Sequence, residues 1–277
     1  MRIARKHKVK VIEDVSHAQG GLYKGRMLGT IGDIAAASLM SGKSFPIGEG
    51  GIITTNNRAL YERCVAYGHY ERTGLASNYN KADQQITDPG LQQYAGLPMG
   101  GAKHRMNQTC SAMGRVQLKY YPRRMKEIQS AMNRFWDLLE GVPGLKAHRP
   151  PKKSGSTMGG WYAAKGLYRA EELGGLPAAK YCEALRAEGV GGAYPGGNLA
   201  LHLHNLFHTA DLFHMGKPTM ISFGQRDVRQ GPGSLPVTEA VPQTVIGIPW
   251  FKKDKPAIIK QYAAAYRKVA ERAADLM

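Results

Sequence analysis

Cysteine is scarce: Cys64, Cys110 and Cys182 are the three in 277 residues, far apart and without C-x-x-C spacing. That argues against a disulfide framework or a zinc knuckle and makes the cytoplasm the expected compartment. Acidic residues are few as well. The chain sets 21 Asp+Glu against 38 Lys+Arg, a net charge of +17, so anionic partners such as phosphates, nucleotides or nucleic acid are the ones to weigh. Long apolar runs are missing: nothing reaches the roughly 18 residues that a bilayer-crossing helix needs. The basic amino end, Met1-Arg2-Ile3-Ala4-Arg5-Lys6, runs into Lys8 and Lys10 rather than into the apolar stretch of an export signal. Internal repeats and low-complexity tracts are absent too. What is present is 43% hydrophobic residues, enough for cores in one large or two ordinary domains.

The pattern along the chain is α/β. A β-branched stretch, Val9 to Ile12, reads as a strand ending in Glu13-Asp14, followed by a turn through Gly20 and Gly21; Ile34 to Met40 and Gly51 to Thr55 read as two more strands. Leu60, Cys64 and Tyr67 have helical spacing, and Ala76 to Gly101 is punctuated by glycine and proline as a long connection. A long helix is expected from about Met106 to Leu139, broken at Pro122 and joining two domains, residues 1–128 and 129–277. Beyond it, a strand over Trp161–Tyr168, a helix over Pro177–Ala187 and a closing helix over Pro256–Leu276, opened by Asp254 and Pro256, imply a smaller α/β domain.

Polar residues at strand ends mark where open sheets bind ligands. Lys43 follows a strand-like run between Gly42 and Ser44 and precedes Gly48-Glu49-Gly50-Gly51, and Asp14 ends the first strand. An amine condenses with carbonyls, and pyridoxal-phosphate (PLP) enzymes pair such a lysine with an acid that keeps the cofactor's ring nitrogen protonated. Taken singly, Lys43 reads more often as a solvated loop lysine and Asp14 as a turn or cap residue.

The ordered set of motifs changes that balance. Val11-Ile12-Glu13-Asp14-Val15-Ser16-His17-Ala18-Gln19-Gly20 resembles the E-D-x-x-H/Q-A-x-G strand end of the DegT/DnrJ/StrS family of sugar aminotransferases, which belongs to the fold-type-I PLP enzymes. Tyr23-Lys24-Gly25-Arg26, Gly29-Thr30-Ile31-Gly32-Asp33 and Ser38 follow in the family's order, and Lys43 stands five residues before Gly48-Glu49-Gly50-Gly51, as in its K-x-x-x-x-G-E/D-G-G signature. His104-Arg105-Met106-Asn107, Gln117-Leu118 and Leu235-Pro236-Val237-Thr238-Glu239 resemble its N-Y-R-M, V-Q-L and L-P-V-T/S-E segments, so the likeness spans nearly the whole chain.

The resemblance implies a PLP-transferase fold: the later part of a large domain with a mixed sheet and helices, then a smaller α/β carboxy-terminal domain. It implies PLP as cofactor, Lys43 as the lysine that forms the Schiff base and shuttles the proton, and Asp14 as the pyridinium partner. His17 would contact the ring or its 3-hydroxyl, Ser38 would donate to the phosphate, and Arg105 would lie near a subunit boundary and reach toward the phosphate. Lys103 replaces the asparagine usual two residues before that arginine, offering a point charge but no acceptor. Complete relatives begin well over a hundred residues earlier, with a Gly/Thr helix start that grips the phosphate and an aromatic that stacks on the ring. The expectation is therefore an amino-terminally truncated member, either a homodimer or paired with another polypeptide that supplies the missing part.

The activity so implied moves an amino group from glutamate or glutamine to the keto group of a nucleotide-linked sugar or a cyclitol, in antibiotic or cell-surface sugar biosynthesis. In the family, dehydratases carry histidine in place of the lysine, so Lys43 points to transamination. Two other readings stand beside it: a catalytically impaired or split-enzyme subunit acting as a binding or regulatory partner, and a basic nucleic-acid binder. The last lacks an aromatic-interleaved patch and is set aside. His202, His204, His208 and His214 invite a metal reading, but no carboxylate or cysteine stands at ligand spacing beside them.

Overall fold

The computed structural model describes residues 1–68, 86–94, 99–102 and 104–277. The chain divides into two compact units, Met1–Gln129 with Arg149–Tyr162, and Ser130–His148 with Ala163–Met277. Among the described residues, no helix is long and apolar enough to cross a membrane.

The first unit holds α1 (Arg2–Lys6), β1 (Ile12–Asp14), β2 (Leu22–Tyr23), β3 (Arg26–Met27), β4 (Ile34–Ser38), β5 (Gly51–Thr54), α2 (Arg58–Gly68), α3 (Pro89–Gln92) and the first part of α4 (Gln108–Leu138). Its sheet runs β1-β4-β5, with β1 parallel and β5 antiparallel to β4, while β2 and β3 form a separate hairpin. The first strand begins at Ile12 rather than Val9 because pairing starts there, opposite Ile34; ahead of it, Val11 N–H is held by the Asp33 carboxylate at 2.9 Å. β4 is built from Ile34-Ala35-Ala36-Ala37-Ser38, and the small side chains of Ala35 and Ala37 are buried. Small residues let neighbouring segments approach both faces.

On α2 the buried stripe is Glu62, Ala66 and Gly68; Tyr67, which shares the helical apolar spacing of Leu60 and Cys64, is 56% exposed. A carboxylate can take that place because it is fully engaged. Glu62 accepts Arg58 Nε at 2.7 Å, Thr87 Oγ1 at 2.6 Å and Asp88 N at 2.8 Å. Burial alone would raise its pKa, and these donors together pull it down to about 2. Helix α4 is capped by the Asn107 side chain, which accepts Thr109 N–H at 2.8 Å. It runs unbroken through Pro122, where the sequence led us to expect a break. The neighbouring turns are held in place: Tyr121 is buried with its OH donating to Gln19 O at 2.8 Å, and within the helix Arg124 donates to Gln117 Oε1 at 2.7 Å across the proline.

The second unit continues with β6 (Leu145–Ala147), β7 (Lys165–Tyr168), α5 (Ala178–Ala187), β8 (Tyr194–Pro195), α6 (Asn205–His208), α7 (Pro236–Glu239), α8 (Val241–Thr244), β9 (Val245–Gly247) and α9 (Pro256–Glu271). Its antiparallel sheet runs β6-β7-β9-β8. The core is aromatic: Phe135 lies 5.3 Å from both Phe251 and Tyr266, and Tyr181 OH donates to Tyr266 O at 2.9 Å. Asp254 does not cap α9, as its position had implied. Lys255 is the N-cap, and Asp254 turns to Arg134 (Nε at 2.9 Å) and Ser130 (Oγ at 2.6 Å), where a charge-assisted fork outcompetes a backbone N–H. The strand expected over Trp161–Tyr168 shortens to Lys165–Tyr168, because Trp161 and Ala163 have left-handed backbone, φ 55° and 52°.

The irregular stretch before β9 is tied by Glu239, which accepts Gly233 N–H at 2.7 Å and Leu235 N–H at 3.1 Å and meets His202 Nε2 at 2.9 Å. His202 therefore serves a structural hydrogen bond to Glu239. Among the described residues, no group of three or more histidines, cysteines or carboxylates could hold a metal.

Candidate active site

Asp14 is the last residue of β1 and pairs with Ala36. Paired residues of a parallel ladder share a sheet face and alternate residues return to it, so Asp14, Ala36 and Ser38 lie on one face. Asp14 Oδ1 accepts Ser16 N–H at 2.9 Å, and Ser16 Oγ accepts Ser38 N–H at 2.9 Å. The Ser16 hydroxyl and amide, and after them the charges of His17 and Lys43, hold the Asp14 carboxyl below its ordinary pKa, so it is an anion at neutral pH.

Lys43 sits in the loop between β4 and β5, tied at its base by Leu39 N–H to Gly50 O at 2.9 Å and Ile47 N–H to Leu39 O at 2.8 Å. The glycine turn is a backbone requirement: Gly48 and Gly50 have φ of 96° and 148°, conformations that side chains disfavour. Lys43 is only 9% exposed, and its Nζ lies 4.3 Å from the ring centroid of Tyr162. His17 meets the same ring edge-on, centroids 4.7 Å apart. Desolvation of the His17 ring, then the Lys43 charge, lower its pKa against the opposing pull of Asp14. Asp14, His17 and Lys43 thus share one electrostatic neighbourhood.

Buried Gln19 clamps that neighbourhood from below. Its Nε2 donates to Ser38 O at 2.5 Å, and its Oε1 accepts Ser44 Oγ at 2.6 Å and Phe45 N–H at 3.2 Å. Tyr121 OH donates to Gln19 O at 2.8 Å and stands 2.9 Å from Ser44 Oγ. One side chain therefore fixes Ser38 and the residue after Lys43 together. Residues 155–162 close the arrangement: Thr157 N–H donates to Leu22 O at 2.9 Å, Gly25 N–H to Gly155 O at 2.7 Å, and Gly160 N–H to Gln19 O at 3.2 Å.

Of the residues expected from sequence, Asp14, His17 and Lys43 converge, and Ser38 joins them through Ser16 and Gln19. Arg105 lines a cavity of about 1050 Å³ with Ile53, Tyr61, Cys64, His104 and Asn107. Lys103 lies outside the described residues. Sequence reasoning overlooked Tyr162, Tyr121, Gln19 and Glu13. The last accepts the N–H groups of Gly29, Ile31 and Gly32 at 2.9, 2.7 and 2.6 Å and so shapes the turn before β4. Gln19 and Glu13 stand inside the strand-end motif and were open to notice; Tyr162 had no local signal.

This architecture is that of the fold-type-I aminotransferases: a crystal structure of an aminotransferase from Psychrobacter cryohalolentis matches with a TM-score of 0.75 at 24% identity, over 99% of this chain and 65% of that one. A GDP-4-keto-6-deoxy-D-mannose-3-dehydratase of E. coli, solved with bound hydrated PLP, shares the fold at 16% identity and a TM-score of 0.66, over 96% of this chain and 62% of its own. The DegT/DnrJ/EryC1/StrS aminotransferase family matches residues 1–261, and the chain belongs to it. Among curated relatives, the GDP-perosamine synthase of Escherichia coli O157:H7 is 34% identical over 119 residues, 43% of this chain and 28% of that protein. The L-glutamine:2-deoxy-scyllo-inosose aminotransferase of Micromonospora echinospora is 25% identical over 191 residues, 69% of this chain and 43% of its own. The chain thus spans less than half the length of these two relatives.

Proposed function

We propose that this chain binds PLP through Lys43 and Asp14 and serves the transfer of an amino group from glutamate or glutamine to the keto group of a nucleotide-linked sugar or a cyclitol. The observation that carries the reading is the convergence of a shielded amine with a carboxylate held ionised at one sheet rim. The donor set fits the cofactor. Asp14 would accept the ring N–H, His17 would face the ring or its 3-hydroxyl, and Ser38 would donate to the phosphate, its Oγ already accepting Met40 N–H at 3.3 Å so that its hydrogen points elsewhere. When bound, the cofactor supplies an aldehyde for the amine and a protonated ring as electron sink. Lys43 would then move the proton between the substrate carbon and the cofactor carbon. Arg105, which lines a cavity of its own, would contribute to the site of a neighbouring chain in a homodimer. The printed substrates of the relatives, a GDP-linked sugar and an inosose, support the acceptor class, and the net charge of +17 suits a phosphorylated one.

The test is release of a 2-oxo acid from glutamate or glutamine, dependent on added PLP and on a keto-sugar nucleotide or inosose acceptor. Acceptor amination by the parent chain, absent in Lys43→Ala, supports the reading. Equal turnover by Lys43→Ala contradicts it.

A further inference from the structure

We propose that Tyr162 is a positioning residue for Lys43: its ring face is the rest on which the amine is held at the rim shared with Asp14 and His17. This rests on the reading of Lys43 as the reactive amine. Two independent features carry it.

The first is the ring's own contacts. Lys43 Nζ lies 4.3 Å from its centroid and His17 meets it edge-on at 4.7 Å, so one aromatic plane touches two of the three converging residues. A lysine amine rides on a flexible four-carbon stem, and an aromatic face within about 6 Å is a specific attractor for it.

The second is the backbone that presents the ring. Tyr162 is bracketed by Trp161 and Ala163, both non-glycine residues in the left-handed region, at φ 55° and 52°. Such strain persists only where the surroundings impose it, and it clusters at working sites. Here the imposing contacts are visible. The Trp161 indole is 2% exposed and its Nε1 donates to Gln129 Oε1 at 2.7 Å. Gly159 and Gly160 press so closely on Gly21, Gln19 and Ser44 that neither has room for a side chain. The same Gln19 and Ser44 flank Lys43, so the segment that carries the ring and the loop that carries the amine are fastened to one support.

Condensation of the Lys43 ammonium with the PLP aldehyde expels water and leaves a protonated C=N bond, so the charge on the ring is the same before and after. The ring's attraction therefore cancels, and what it contributes is placement. Pyridoxine 5′-phosphate, an alcohol, binds without that condensation. The ratio of PLP affinity to pyridoxine 5′-phosphate affinity isolates the covalent step, and borohydride reduction of the C=N bond to a secondary amine maps it to Lys43. This ratio is expected to fall about tenfold in Tyr162→Leu and Tyr162→Met and to hold in Tyr162→Phe. A second readout needs no PLP. After reductive [13C]methylation, the Lys43 resonance, identified by its loss in Lys43→Ala, is expected to be shifted upfield by the ring in the parent and in Tyr162→Phe, and unshifted in Tyr162→Leu. A parent resonance at the position of exposed lysines overturns the proposal, as does a Tyr162→Leu variant that keeps the parent ratio while the parent forms the adduct; in both cases Lys43 as the reactive amine stands. A parent that shows the shifted resonance yet forms no adduct at Lys43 overturns the functional reading itself, and the role of the ring with it.

Discussion

Replacing Gly160 by alanine is a sharp probe of how the lysine loop is held. Gly160 is buried, and its backbone is not in the left-handed region, so the added methyl costs no backbone strain of its own. The cost comes from where the methyl would go. It would overlap Ser44 Cβ and Oγ and come within 2.9 Å of Tyr121 OH. Ser44 Cβ is fixed to the main chain, so the overlap cannot be relieved by a rotamer; the Lys43–Phe45 backbone or the Gly159–Gly160 backbone must shift. Forced overpacking of this kind costs about 1–3 kcal/mol. Displacing Ser44 also breaks its bonds to Gln19 and Tyr121, at about 1 kcal/mol each. The sum, roughly 3–5 kcal/mol, is a large share of a total stability on the order of 5–15 kcal/mol. The control is Gly191→Ala, where a methyl meets nothing within 4 Å, and its effect is expected to stay within about 0.5 kcal/mol. Urea unfolding followed by circular dichroism gives the global loss, and hydrogen exchange over Leu39–Gly50 gives the local one. Should Gly160→Ala unfold like Gly191→Ala with unchanged exchange in that peptide, the clamp around Lys43 is wrong.

Two further outcomes are expected. His17 should titrate below the ordinary histidine value by NMR, with Lys43→Ala raising its midpoint and Asp14→Asn lowering it further; a midpoint unmoved by either would separate the three residues. The sign for stability follows: the unfolded chain takes up this proton first, so the contribution is present above the ordinary value and is lost as pH falls through it. Phe135→Ala, at 0% exposure among Phe251, Tyr266 and Trp136, should cost about 3–5 kcal/mol in urea unfolding of the second unit, and a loss under about 1 kcal/mol would mean that this aromatic core is misassigned.

The site was legible where chemistry and backbone need coincide in a few consecutive residues. Asp14 and His17 sit on one strand end, and the glycines after Lys43 are demanded by φ angles that other residues avoid. Strands and helices with clean periodicity, β4, β5, α5 and α9, could be read to within a few residues. What could not be read depends on distant partners. Glu62 is inside only because Arg58, Thr87 and Asp88 satisfy it, and Asp254 leaves a capping role because Arg134 offers a fork. The return of Arg149–Tyr162 to the first unit, which brings Tyr162 over Lys43, rests on main-chain bonds to β2 and the turn after β1 that no local pattern encodes.

The most direct measurement is the location of PLP after borohydride reduction, mapped by mass spectrometry in the parent and in Asp14→Asn. Lys43 is 9% exposed, so indiscriminate labelling would favour the solvated lysines instead. A single dominant adduct at Lys43, weakened when Asp14 loses its charge, is the expected result. Adducts scattered over exposed lysines, with the same pattern in Asp14→Asn, would contradict it.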